Sequence, residues 1–508
     1  MTRILAGYEA SSAHSAERKP VYVDFDRLVN PHMVICGDSG TGKTTMLRQS
    51  INEAIKSSPK TFRVHLFDVH GDIEMDPRIC STVVFSEASP DGLNPLRINS
   101  DPHYGGVRKC IQNFISTLRL SPTTNRALGP KQRDVLSNLL TDVFENAGFY
   151  ADEPASWSVA EQPPPSFLLP DRTYIDLPID EKDLAKQLVK GTGISLVFHG
   201  EARCWHVDRY EGPITRWPLK RWGKANPTLN TLVQYATRRR EMSFTGLGQR
   251  EAAAMDLVHK RARALNSRLQ QHSKVRNNTG DDPFANEDAQ KELEKAKQDA
   301  LNAFKDYFAV LENGNALQSL LKYDSFESLS TVKQILDSLN ASGIYRDTPP
   351  RLDPAKQVWR YHIKALRPEE QKFLVNVRLR EIFYNAVQRG ESKDLIEVIV
   401  IDEGAKFVEE EEDHIVNVIA LEARKFGLGI WFASQSPTQY SESLLSTVAT
   451  KIILGLDPNY WPLAQRRLRI EERAMKWIRP REGLLVNFKL SGQSAQPWVW
   501  VTTPSAVG

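Results

Sequence analysis

Met33-Val-Ile-Cys-Gly-Asp-Ser-Gly-Thr-Gly-Lys-Thr44 decides the fold. Its four apolar residues, Met33 to Cys36, read as a short buried strand. The strand runs straight into Gly37-x-x-x-x-Gly42-Lys43-Thr44, and Lys43 to Ala54 reads as a helix. Strand, glycine loop and helix in that order are the context a P-loop requires. The glycines let successive backbone N–H groups turn inward around phosphate oxygens, and the helix N-terminus adds its dipole. Lys43 can reach the β and γ phosphates, and the Thr44 hydroxyl can ligate Mg²⁺. Gly37, Asp38, Ser39, Gly40, Thr41, Gly42, Lys43, Thr44 and Thr45 are therefore the candidate phosphate-binding residues. ATP with Mg²⁺ is the expected occupant.

Outward from this loop, apolar runs alternate with helical stretches. Val21–Phe25 precedes it, and Phe62–Phe67 and Thr82–Phe85 follow. After the Asn94-Pro-Leu96 turn, helices are expected at 106–118 and 131–147, then a Pro/Ser-rich loop containing Pro163, Pro164 and Pro165. A small strand or hairpin element is expected near Ile194–Phe198 and the tryptophans Trp205, Trp217 and Trp222. Residues 250–342 read as two or three long helices broken at Asn277–Asp282. Strands return at Val358–Ile363, Leu395–Ile401, Gly429–Ala433 and Lys451–Leu454, with Leu484–Phe488 and Trp498–Val501 as a closing antiparallel pair. Strands alternating with helices predict an α/β fold with a mainly parallel sheet. The expected division is a flexible tail (1–19), a first part of the core (20–105), a large, mostly helical insertion (106–355) and a second part of the core (356–508).

Asp402-Glu403 stands directly after Leu395–Ile401, the most apolar strand in the sequence. An aspartate at a strand end can hold the magnesium shell, and a glutamate beside it can deprotonate an attacking water. That pair points to hydrolysis rather than transfer to a bound acceptor. Gln435 follows the next strand and is placed to touch the γ-phosphate or the water. Arg424 and Lys425 precede the same strand, where an arginine can face a neighbouring subunit's nucleotide. Asp68, His70 and Asp72 end the Phe62–Phe67 strand. Their spacing suggests a metal, no further ligand is evident, and a supporting role fits better.

The formal charge, 66 cations against 63 acids, is +3. A nucleic-acid partner would have to be held by local basic runs such as Arg238–Arg240 or Arg466-Arg-Leu-Arg469. No 18-residue apolar run or leader pattern is present, so a cytoplasmic, unanchored chain is expected. Four scattered cysteines lack CxxC pairing and read as buried thiols.

Together, Val21–Val29 leading into the P-loop strand, Phe67-Asp-Val-His-Gly-Asp72, Val400-Ile-Asp-Glu-Gly404 and Glu422–Pro437 resemble the HerA/FtsK superfamily of DNA-pumping ATPases, HerA most of all. The resemblance covers about 20–150 and 355–505. It implies a RecA-like P-loop NTPase core, a hexameric ring around double-stranded DNA and ATP-driven translocation. By matching motif, Lys43 and Thr44 hold phosphate and Mg²⁺, Asp402 supports the metal and Glu403 is the catalytic carboxylate. Gln435 is the sensor and Arg424 the finger acting in trans. HerA proteins carry an N-terminal barrel that this sequence does not show, which implies work beside a nuclease or other effector, in DNA processing or anti-phage defence. The alternative is an ATPase switch or assembly platform without processive translocation.

Overall fold

A computed structural model of the chain describes residues 2–12, 15, 17–120, 128–159, 174–175, 194–199, 204–210, 225–245, 249–278, 283–312, 323, 326–411, 414–493 and 497–503. In chain order, β1 (Arg3–Glu9), β2 (Pro20–Asp24) and β3 (Met33–Cys36) precede α1 (Lys43–Ser57), and β4 (Arg63–Asp68) and β5 (Cys80–Val84) follow it. Helices α2 (Val107–Leu120) and α3 (Pro130–Asn146) come next, then short strands β6 (Tyr174–Ile175), β7 (Ile194–His199) and β8 (Cys204–Tyr210). Helices α4 (Leu229–Thr245), α5 (Gln249–Asn278), α6 (Pro283–Glu312) and α7 (Phe326–Ala341) lead back to the sheet. There β9 (Val358–His362), α8 (Pro368–Arg389), β10 (Ser392–Ile401), α9 (Ile415–Glu422) and β11 (Phe426–Ser434) resume the alternation. The last elements are α10 (Glu442–Thr447), β12 (Thr450–Ile453), α11 (Trp461–Leu468), α12 (Glu472–Trp477), β13 (Gly483–Phe488) and β14 (Val499–Thr502).

Eleven strands form one sheet in the order β2-β1-β14-β13-β12-β3-β11-β10-β4-β9-β5. From β12 to β5 every pairing is parallel. The remaining pairings, out to β2, are antiparallel. Parallel strands must be covered on both faces, which is why they read as unbroken apolar runs. Along β10, Ile399 and Ile401 enter one apolar cluster while Val398 and Val400 enter the other. Helix α1 covers the second face through Met46, Leu47, Ile51, Ala54 and Ile55, the stripe its periodicity requires. The first face is covered by α8 and α9.

Two expectations need correction. Residues 3–9 are not a loose tail: β1 pairs with β14 and β2, and Ile4 and Ala6 are fully buried. The partner strand lies at the far end of the sequence, so nothing local announces it. Gly7 makes the approach possible, since a Cβ there would sit 2.3 Å from the Thr502 carbonyl oxygen. The insertion, too, is less separate than its composition suggests. Phe114 of α2, Leu139 of α3, Leu232 of α4 and Leu336 of α7 share one apolar cluster with the sheet's Phe67 and Phe432. Their apolar stripes look the same in sequence whether they pack on a sheet or on each other.

Helices α5 and α6 are two of the long helices expected from composition and pack on each other around a small core of Val258, Ala303 and Tyr307, while 279–282 lie outside the described residues. The pairs Arg261–Asp299 and Arg268–Glu292 tie their outer surface. Strands β6–β8 form a separate antiparallel sheet in the expected hairpin region, whereas Trp217, Trp222 and Pro163–Pro165 lie outside the described residues. Cys36 and Cys110 are buried, and burial pushes both thiols up to about 12, so neither is reactive.

The Phe114 ring meets Phe373 of α8 edge-on at 5.9 Å. Phe114→Ala is expected to cost about 3–5 kcal/mol. In urea denaturation it should shift the same transition that reports the sheet. A separate early transition, with the sheet's midpoint unchanged, would make α2 part of an independent domain.

Candidate active site

Because β3, β11, β10, β4 and β9 run parallel and adjacent, the segments after them emerge at one edge of the sheet. Ligands of open α/β sheets bind at this carboxyl edge. Four of the sequence-derived groups meet there: the glycine loop after β3, Gln435 after β11, Asp402-Glu403 after β10 and Asp68–Asp72 after β4.

The loop is held from both sides. Gly37 N–H donates to the Ser434 carbonyl at 3.1 Å, and Asp38 N–H to that of Gly455 at 2.9 Å. Thr41 Oγ1 donates to the Asp38 carbonyl at 2.8 Å and closes the turn. Its hydroxyl lies where a side chain on residue 37 would go, 2.4 Å from a built Cβ, so only glycine fits there. Gly42 takes φ +100° as the residue before α1, a left-handed conformation that a side chain would strain. Lys43 Nζ donates to the carbonyls of Gly37 and Asp38 at 2.8 and 3.1 Å. The ammonium thus lies folded across the cradle, beside the N-terminus of α1.

At the ends of the neighbouring strands β4 and β10 are the acids. Carboxylate oxygens of Asp68, Asp72 and Asp402 lie within 4.8 Å of one another. The further ligand that the Asp68-x-His70-x-Asp72 spacing lacked is Asp402, more than 300 residues away in sequence. The three acids are not equivalent. Asp68 is fully buried and already satisfied: its Oδ1 accepts from Gly71 N–H at 2.7 Å, and its Oδ2 from Arg360 Nε at 2.9 Å. It shapes the 68–73 turn and leaves the open coordination to Asp402 and Asp72. Burial pushes the Asp402 carboxyl up to about 6, Asp72, Glu403 and Asp68 push the same way, and His70 partly opposes them. Asp402 is thus short of compensating positive charge. A divalent cation fits that deficit, and Asp402 with Asp72 could hold it, as could Thr44 at the start of α1.

Glu403 adopts φ +52°, left-handed for a residue with a side chain. Such a conformation costs roughly 1–2 kcal/mol and marks a position whose direction matters. Its Oε1 lies 3.6 Å from His70 Nε2, and the residue is buried. Gly404 beneath it packs on the Phe432 ring so closely that a Cβ would meet the ring at 2.5 Å. Gln435 is exposed, next to Ser434, whose carbonyl binds Gly37. The segment beyond it is fixed by Arg467, which donates to the carbonyls of Thr438 and Tyr440 at 3.0 and 2.9 Å.

Arg424 and Lys425 are not brought to this edge. They are exposed in a short turn before β11, at the opposite end of the sheet. The nine-residue strand between puts Arg424 roughly 25 Å from its own P-loop. Sequence reasoning missed Arg481, whose Cγ lies 3.7 Å from a Cβ built on Gly42. It sits in a connection between α12 and β13, and a lone arginine in a loop carries no signal of this.

The fold and the site define a RecA-like P-loop ATPase. Residues 10–101 match the family model described as "Helicase HerA, central domain", in keeping with the HerA/FtsK resemblance. Among solved structures, VirB4 of Thermoanaerobacter pseudethanolicus superposes with a TM-score of 0.54 at 12% identity, over 99% of this chain and 98% of that one. That likeness carries the fold. The bacterial conjugative plasmid coupling protein TrwB, solved with the ATP analogue ADPNP, gives 0.46 at 12% identity, over 99% and 92%. No curated protein matches the chain in sequence.

A raised carboxylate pKa means that the folded state keeps its proton to higher pH than the unfolded chain does. Its effect on stability is therefore neutral below about pH 4 and unfavourable as pH rises through about 6. In the metal-free protein, Asp402→Asn is expected to add about 1–3 kcal/mol at pH 8 and little at pH 4. Urea denaturation at the two pH values checks this. An equal effect at both would mean that the charge of Asp402 is already compensated.

Proposed function

We propose that the protein is an oligomeric ATP-hydrolysing motor, a hexameric ring that translocates double-stranded DNA. Its expected setting is DNA processing or anti-phage defence, beside a nuclease or other effector. One observation carries the reading: Glu403 and Gln435 share the carboxyl edge with the P-loop, while the exposed Arg424 stands at the far edge of the same sheet. A site built this way is completed by another copy of the chain. The HerA central-domain match supports DNA as the load.

In this reading the loop N–H groups and Lys43 hold the phosphates, Lys43 exchanging its two carbonyl partners for phosphate oxygens. Thr44 and Asp402 would hold Mg²⁺, which would supply positive charge to the phosphates. Glu403 accepts a proton from the attacking water, a role its strained backbone and burial serve. Gln435 touches the water or the γ-phosphate. The neighbouring copy's Arg424 would stabilise charge on the transferred phosphoryl group.

A second reading, an ATPase switch or assembly platform, draws on α6. Leu301, Phe304 and Phe308 are exposed on one helical stripe, a surface suited to another protein. No helix among the described residues is long and apolar enough to cross a membrane.

ATP turnover with and without duplex DNA at low salt separates the readings. Stimulation that fades as salt rises is expected for phosphate-backbone contacts. Turnover indifferent to duplex, with no ring formed in ATP, would sink the motor. Glu403→Gln should bind ATP yet lose about 10²–10⁴ in turnover, and Arg424→Ala about 10³–10⁵. Mixing the two variants should restore part of the activity, because one copy of each can build an intact interface. Mixtures no more active than the variants alone would rule out action in trans.

A further inference from the structure

Away from the P-loop, a second concavity of about 900 Å³ opens where α10, α11 and α12 meet β12, β13 and β14. Six cationic side chains line it, Lys451, Arg466, Arg467, Arg469, Arg473 and Lys489, against two carboxylates, Glu442 and Glu471. Both carboxylates are engaged. Glu442 lies 3.6 Å from Arg467 Nε, and Glu471 pairs with Arg473. Lys451, Arg466, Arg469 and Lys489 have no carboxylate partner among the described residues.

Lys451 is the informative member. It is 7% exposed, and its ammonium donates to the Val448 carbonyl at 2.8 Å. A buried ammonium without a counter-charge is costly. Burial pushes it down to about 8, and Lys489 pushes the same way. Trp498, just before β14, and Trp500 within it also line the bowl. The Trp498 indole N–H is anchored to the Leu468 carbonyl at 3.1 Å, and Trp500 packs on Trp477 with centroids 5.1 Å apart.

Four cations without a carboxylate partner among the described residues call for a compact anion carrying more than one charge. A phosphodiester strand lying across the rim brings one charge per phosphate and does not reach Lys451. A terminal phosphate carries about −1.5 to −2 at neutral pH and projects from its carrier. It can descend to Lys451 with guanidinium groups around it. A carboxylate side chain brings a single charge and leaves the two tryptophans unused, whereas a base can stack there. We propose that this bowl binds a terminal phosphomonoester carried by a nucleotide unit, whether the phosphorylated end of a nucleic-acid strand or a free nucleotide. The site is separate from the P-loop and does not depend on what load the motor moves. Through Arg467 its wall also touches the segment that carries Gln435.

The test uses the full chain with Lys43→Ala, so that the P-loop does not compete. Binding of fluorescent single-stranded oligonucleotides with a terminal phosphate or a terminal hydroxyl is read by anisotropy at fixed salt. A preference of at least tenfold for the phosphorylated strand is expected. It should vanish in Arg466→Ala/Arg469→Ala and, separately, in Lys451→Met, each with unaltered circular dichroism. Thymidine monophosphate that displaces the strand at similar concentration assigns the site to free nucleotides. Failure to displace assigns it to strand ends. Equal affinity for both oligonucleotides, or a preference that survives both sets of substitutions, overturns the proposal.

Discussion

The register of β11 between β3 and β10 is the constraint on which the site depends. All nine residues of β11 are buried, so the strand has no free face on which to slide. On one side Trp431 pairs with Met33 and Ser434 with Cys36; on the other Phe432 pairs with Ile401. Asp402 and Glu403 follow Ile401 directly, so this register sets the edge at which they leave the sheet. Glu403, Gln435 and Gly37 thus follow three adjacent parallel strands and emerge at one edge. A slip of one residue would turn every side chain to the wrong face. Trp431 resists it directly, stacking on Phe25 at 5.2 Å and donating its indole N–H to the Pro31 carbonyl at 3.0 Å.

Within that frame, charge is distributed unevenly. Asp68 is saturated by Arg360 and backbone N–H groups, a buried ion pair that fixes a turn. Asp402, nearly as buried but beside other acids, has no such partner among the described residues and is pushed toward the protonated form. The contrast separates roles that residue type alone leaves equal: one carboxylate builds the loop, and the other is kept short of positive charge.

Much of this was legible in the sequence because parallel strands buried on both faces leave an apolar signature, and because a P-loop is one contiguous stretch. Met33–Thr44, Leu395–Glu403 and Gly429–Gln435 each carry their own context. What could not be read is what depends on distant contacts. The strand β1 looks like a polar tail until β14 is beside it. Asp402 joins Asp68 and Asp72 only when β10 pairs with β4. Arg481 nears Gly42 through a loop with no pattern of its own, and the packing partner of α2 is set by tertiary geometry, to which its helical period is indifferent.

The same geometry bears on how neighbouring copies would communicate. Strand β11 has Arg424 before its first residue and Gln435 after its last. Between them lies a fully buried, hydrogen-bonded segment that cannot lengthen or slide. If Gln435 shifts with the γ-phosphate of its own site, the displacement is resisted by β3, β10 and the clamp of Arg467. Rotation of the whole sheet then costs less than local deformation, because a close-packed interior transmits strain rather than absorbing it. In the ring proposed above, such a rotation would carry Arg424 into or out of the next copy's site. Hydrolysis in one copy and competence in its neighbour would then be linked by a rigid strand, with no flexible hinge between sensor and finger.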